Sequence, residues 1–214
     1  MDRWEVREWR ACGVQLHPVL VKVKPMQKYD MVPLLVVFYV SNHEETGRRR
    51  VFRALSINGG KTWTHPLATT LPNFRTPLAA TTLESGAIAI VFTNNAGVTY
   101  SGTGTTHGRA PLPILSVALS YDGGEHWPYV RDLEEHFAEG MEYTEPSIIS
   151  SVAGSRMHIT YRTTLFDRQH LQNKRTYIRF ASVTEEWVQG TWAGNVATRG
   201  LFKGDTRIGV AQKH

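Results

Sequence analysis

Apolar residues along this chain recur in short runs of four to nine, rich in Val, Ile, Leu, Thr and Tyr and separated by Gly, Asn, Asp and Pro. Helical periodicity is nearly absent, so the pattern predicts an all-β protein. The predicted strands are Val19–Val23, Leu34–Val40, Arg50–Ser56, Ala79–Leu83, Ala87–Thr93, Ile114–Ser120, Ser147–Val152, Met157–Arg162, Thr176–Thr184 and Arg207–Ala211. The one helical expectation is Asp132–Phe137, a short acidic stretch compatible with a single turn.

These strands group into threes and repeat. One unit runs from Gln15 to Trp63 as strand, strand, strand, glycine turn, then a tryptophan opening a fourth strand. A second, from about Asn73 to Trp127, keeps that order, and its turn begins 64 residues after the first. A third runs from near Glu142 to Trp187, where Glu185-Glu186-Trp187 stands in place of the turn. Four-stranded units at such a period predict the blades of a β-propeller, here at approximately 13–70, 71–135 and 140–190. A blade cannot cover both of its faces alone, so neighbours must stack on it. Closed propellers carry about four to eight blades. The chain is therefore expected to supply about three of six, the rest lying elsewhere in a longer protein.

The two turns read Ser56-Ile57-Asn58-Gly59-Gly60-Lys61-Thr62-Trp63 and Ser120-Tyr121-Asp122-Gly123-Gly124-Glu125-His126-Trp127. Asn or Asp accepts backbone N–H groups across such a turn, glycine supplies positive φ, and Ser ties back locally. The tryptophan anchors the outgoing strand between blades. The octamers are similar to the Asp-box repeats of the sialidase superfamily. A wider stretch, roughly 13 to 188, resembles the BNR-type sialidase-like domain. It includes Leu71-Pro72-Asn73, Leu83-Glu84-Ser85-Gly86, Asp132-Leu133-Glu134, Glu142 through Ile149, and His158-Ile159-Thr160-Tyr161. Asp-boxes lie on the periphery of such propellers, so the resemblance implies the fold and says little about catalysis.

Composition narrows the field without choosing a substrate. The longest apolar run, Val32 to Val40, is about half a membrane helix, and the charged start Met1-Asp2-Arg3-Trp4-Glu5 is unlike a secretory signal. With the single cysteine, Cys12, and no Asn-x-Ser/Thr sequon, the default expectation is a cytoplasmic, reduced protein. Net charge is +5, but only Arg48-Arg49-Arg50 clusters, and aromatics are not interleaved with basic residues, so nucleic acid is not expected. Scattered arginines suit an anionic sugar instead. Gly60-Lys61-Thr62 lacks the upstream glycine of a phosphate loop, and no metal-ligand spacing or nucleophile elbow is present, so neither metal nor cofactor is expected.

The resemblance implies a site at one mouth of the axial channel, with arginines for a substrate carboxylate, a Tyr–Glu nucleophile pair and an aspartic acid/base. The best local match is Glu142-Tyr143-Thr144-Glu145-Pro146 at the entry to an inner strand. There Tyr143, with Glu142 or Glu145, would be the nucleophile pair, or would merely pack at the blade mouth. Arg162, Arg179, Arg75 and Arg109 are candidate carboxylate ligands, and Gln15 and His17 are polar groups on the first inner strand. The Arg-Ile-Pro motif of authentic sialidases is absent. Three functions stay open: a retaining exo-α-sialidase-like glycosidase, a non-catalytic sugar-binding or interaction propeller, and another carbohydrate-active enzyme such as a lyase.

Overall fold

The structure, a computed structural model, describes residues 15–23, 33–41, 50–73, 76–94, 114–134, 141–151, 156–167 and 172–190. Eleven strands and one helix lie among them. The first sheet is an antiparallel meander of β1 (Gln15–Val23), β2 (Leu34–Ser41), β3 (Arg50–Ser56) and β4 (Leu67–Pro72). The second repeats it with β5 (Ala79–Thr82), β6 (Ile88–Asn94), β7 (Ile114–Ser120) and β8 (Tyr129–Asp132). The third has β9 (Met141–Ser151), β10 (Arg156–Asp167) and β11 (Gln172–Thr184), followed by helix α1 (Glu185–Gln189). No helix among the described residues is long and apolar enough to cross a membrane.

The sheets stack face to face through two apolar cores. One joins Val21, Val36, Phe38 and Val40 of the first sheet to Ile88, Ile90 and Phe92 of the second. The other joins Ala89, Val91, Leu115, Val117 and Leu119 of the second to Ile148, Met157, Ile159, Ala181 and Val183 of the third. Side chains alternate along a strand, so β6 sends Ile88, Ile90 and Phe92 one way and Ala89 and Val91 the other. That double duty is why β6 reads as an unbroken apolar run, Ile88-Ala89-Ile90-Val91-Phe92. The innermost strands β1, β5 and β9 are side by side: Thr82 Oγ1 donates to Lys22 O (2.8 Å) and Ser150 Oγ to Thr82 O (3.1 Å).

Both glycine turns form as their residues dictate. Gly60 N–H donates to Ser56 Oγ (2.9 Å) and Thr62 N–H to Asn58 Oδ1 (2.9 Å). In the second turn, Gly124 N–H donates to Ser120 Oγ (2.8 Å), and Glu125 and His126 N–H to Asp122 Oδ1 (3.0 and 2.9 Å). Burial works to raise the Asp122 carboxyl, but the backbone and ring contacts of His126 outweigh it and bring the group down to about 2. The second turn also clasps the first sheet: Arg53 Nη1 donates to Gly123 O (3.3 Å) and Arg53 Nη2 lies 3.3 Å from Glu125 Oε2.

One expectation changes. Asp132 closes strand β8, so no helical turn opens there, while Glu135–Phe137 of the predicted turn and the predicted strand Arg207–Ala211 lie outside the described residues. The helix forms instead at Glu185–Gln189, where the third repeat lacks its glycine turn. Thr184 caps it by accepting from Trp187 N–H, and Gly190, at φ 75°, closes it. Five residues are too few to show periodicity. The helix docks on the second sheet, where the Arg131 guanidinium lies 4.3 Å from the centre of the Trp187 ring and the buried Glu185 accepts from Ser85 Oγ (2.8 Å) and Tyr121 Oη (2.6 Å).

Candidate functional site

The third sheet carries the densest set of chemistry-bearing residues, and its register sorts them onto two faces. Tyr161 pairs with Arg179, and Thr163 with Tyr143. Their near neighbour Arg162 pairs instead with Thr144 and Ile178. Adjacent residues on a strand point to opposite faces, so Arg162 and Arg179 cannot converge on one ligand group.

The inward face meets the second sheet and holds a polar island inside the apolar core. Glu134, immediately beyond β8, is its centre. The carboxylate accepts from Tyr161 Oη (2.5 Å) and from Arg179 Nη1 (2.8 Å), with only 4% of the Glu134 side chain and 13% of the Arg179 side chain exposed. Tyr143 stands edge-on to Tyr161, ring centres 6.2 Å apart, and is wholly buried. Burial, reinforced by the Glu134 charge and only partly offset by Arg179, pushes the Tyr143 phenol up to about 12. The same causes, burial first, raise Tyr161 further. For Arg179 burial works against the charged form, but Glu134 outweighs it and the guanidinium is held more firmly protonated than usual. The island is thus a buried ion pair with two neutral phenols, and its carboxylate is already satisfied.

The outward face is exposed among the described residues and also carries the apolar side chains of Ile149, Ile178 and Phe180, as a face awaiting a neighbouring blade would. Arg162 Nη1 lies 3.1 Å from Glu145 Oε1, the two side chains being 43% and 55% exposed, and Arg162 Nε donates to Thr144 Oγ1 (3.2 Å). Glu142 is exposed on the same strand, opposite Thr164. Glu145 has φ 53°, in the left-handed region, although it precedes Pro146. Non-glycine residues seldom adopt that conformation, and a following proline discourages helical values further. His17, exposed and ahead of Pro18, has φ 54° on β1. Gln15 pairs with Ser41 in that strand. Arg75 and Arg109 lie outside the described residues.

The structure therefore brings Glu145, Thr144 and Arg162 together on one face and Tyr143 and Arg179 together on the other. Glu134 was not among the expected site residues: it fell in the acidic stretch Asp132–Phe137, read as a single helical turn, and nothing local marks one of its carboxylates for enclosure. Among the described residues no group of three or more His, Cys, Asp or Glu could hold a metal ion.

The model of the BNR repeat-like domain matches residues 8–159. No curated protein matches the chain. Among solved structures, the intramolecular trans-sialidase from Ruminococcus gnavus, in complex with oseltamivir carboxylate, is 14% identical with a TM-score of 0.52, over 82% of this chain and 34% of that one. The leech intramolecular trans-sialidase, complexed with 2,7-anhydro-Neu5Ac, is 13% identical with a TM-score of 0.52, over 81% of this chain and 24% of that one. This chain spans about a third of the first protein and a quarter of the second. At these identities the likeness establishes the architecture, a sialidase-type β-propeller.

Proposed function

The chain belongs to the BNR repeat-like domain family, and from that premise we propose that it forms part of a sialidase-like glycoside hydrolase acting on terminal acidic sugars, of exo-α-sialidase type. The observation that carries the reading is the polar cluster at the entry of β9, where Thr144 and Glu145 of that inner strand meet Arg162 of β10 and Glu142 stands exposed on the same strand. A carboxylate and a guanidinium side by side can grip a sugar through hydroxyls and an acidic group. The trans-sialidases of like fold support sialic-acid chemistry for this class of site. Glu142 and Glu145 are the candidate acid/base carboxylates at the mouth, and Arg162 the candidate carboxylate ligand. Tyr143 would act as nucleophile only after β9 and its neighbours open, because it is enclosed and stays protonated up to about pH 12.

A second reading, a non-catalytic sugar-binding propeller, is favoured by that same burial and by the pairing of Arg179 with Glu134. Incubation of the intact protein with a fluorogenic sialoside separates the two. Turnover that falls by about two orders of magnitude or more in Glu142→Gln or Glu145→Gln is expected for the hydrolase. Binding of sialyllactose without turnover would leave only the second reading. Turnover unchanged in Tyr143→Phe would remove that tyrosine from the mechanism and leave the hydrolase standing.

A further inference from the structure

The rim between the second sheet and helix α1 carries an aromatic corner. Tyr121, the second residue of the second Asp-box, and Tyr129, the first of β8, stand at 85° with ring centres 6.2 Å apart, and they are 38% and 37% exposed. The helix fixes the corner from one side: Tyr121 Oη donates to Glu185 Oε1 (2.6 Å) and accepts from Gln189 Nε2 (2.6 Å). The first sheet supplies a comparison within the same molecule. Ile57 and His65 hold the corresponding places 64 residues earlier, and both are exposed. The sheet stacked beside them has all four of its strands, so these places stay in solvent even next to a complete neighbour. An Asp-box therefore folds without tyrosines there, and Tyr121 and Tyr129 answer no need of the turn itself.

We propose that this corner is a second, peripheral sugar subsite for a neutral pyranose, the choice of a sugar resting on the glycoside-hydrolase reading above. Tyrosines present a broad, rigid, amphipathic surface at little conformational cost, and the C–H face of a pyranose ring suits an aromatic face. Hydroxyls find a partner at the same corner: the Gln189 amide uses one N–H on Tyr121 and has its second N–H and its oxygen to offer. The charged group bonded to the corner is the Glu185 carboxylate, and no guanidinium or ammonium among the described residues is bonded to either tyrosine. A sugar carboxylate would meet repulsion there without a cationic partner, so the subsite selects a neutral unit of a glycan.

The test is titration of the intact protein with lactose, followed by saturation-transfer difference NMR, for the wild type, Tyr129→Phe and Tyr129→Ala. Tyr129→Ala should weaken lactose about 3–10-fold, and Tyr129→Phe should keep it. Turnover of the fluorogenic sialoside, which reports the mouth, should be unchanged in both. Lactose binding equal in the wild type and a folded Tyr129→Ala would overturn the proposal, because the sugar would then sit elsewhere. Failure of the wild type to bind lactose would overturn it too, and sialoside turnover retained in that case would leave the hydrolase reading standing. Lactose binding that depends on Tyr129 in a protein without sialoside turnover would uphold the subsite and remove the hydrolase. Circular dichroism shows whether the fold is kept, and Tyr121→Ile, which installs the residue of the first Asp-box, repeats the measurement if the alanine variant is unstable.

Discussion

Gly60 and Gly124 occupy the same place in the two Asp-boxes with almost the same backbone, φ 85° and 86°, yet they face different surroundings. A Cβ on Gly60 would sit 3.7 Å from Leu35 Cδ1 and 3.9 Å from Trp63 Cζ2, ordinary contact distances. On Gly124 it would sit 2.6 Å from Phe38 Cζ and 2.8 Å from Cε1. Phe38 cannot swing aside readily, being wholly buried with its ring edge-on to Trp127 at 5.7 Å between centres. Alanine at either position should cost about 1–2 kcal/mol for the left-handed backbone. At Gly124 overpacking adds about 1–3 kcal/mol. Gly124→Ala should therefore be the more destabilising by about 1–3 kcal/mol, read as a difference in denaturant midpoint at equal slope by tryptophan fluorescence. Phe38→Leu in the Gly124→Ala background should recover part of that difference, giving a non-additive cycle. Equal losses for the two alanines, or strict additivity with Phe38→Leu, would show that the second box does not bear on the first sheet as described.

Removing Glu134 takes away the carboxylate that faces the Arg179 guanidinium between sheets and half of a buried ion pair, so Glu134→Ala should cost about 3–5 kcal/mol, whereas Glu145→Gln at the exposed pair should cost about 1 kcal/mol or less; urea melts of both check the contrast. The Tyr143 phenol lies above its unfolded value of about 10, so its contribution to stability is complete below pH 10 and is lost as pH rises toward 12. Tyr143→Phe should make the alkaline limb of a stability-versus-pH curve shallower between those limits, the remaining slope coming from Tyr161, which is raised by the same causes. His17→Asn, which suits a left-handed residue, should leave thermal stability unchanged or raise it by up to about 1 kcal/mol, and a clear loss would mean that the imidazole is structurally engaged.

The sequence by itself determined what is settled within a few residues. Each Asp-box closes through hydrogen bonds no more than four residues apart, from Ser56 and Asn58 or Ser120 and Asp122, so composition and order suffice to specify it. The strands and their threefold repetition were legible for a similar reason, since alternation and glycine punctuation act locally. Helix α1 was not, because one turn shows no period and only Thr184 and Gly190 announce it. The partition of the site was decided by tertiary structure alone. Arg162 and Arg179 looked like equivalent arginines, but pleating sent the first to solvent and Glu145 and the second to Glu134, 45 residues away and across a sheet boundary. Tyr143 was legible as a residue at the entry of an inner strand, while its enclosure depends on the second sheet packing over it. Which face a strand buries is set by the neighbour that stacks on it, and no local pattern names that neighbour.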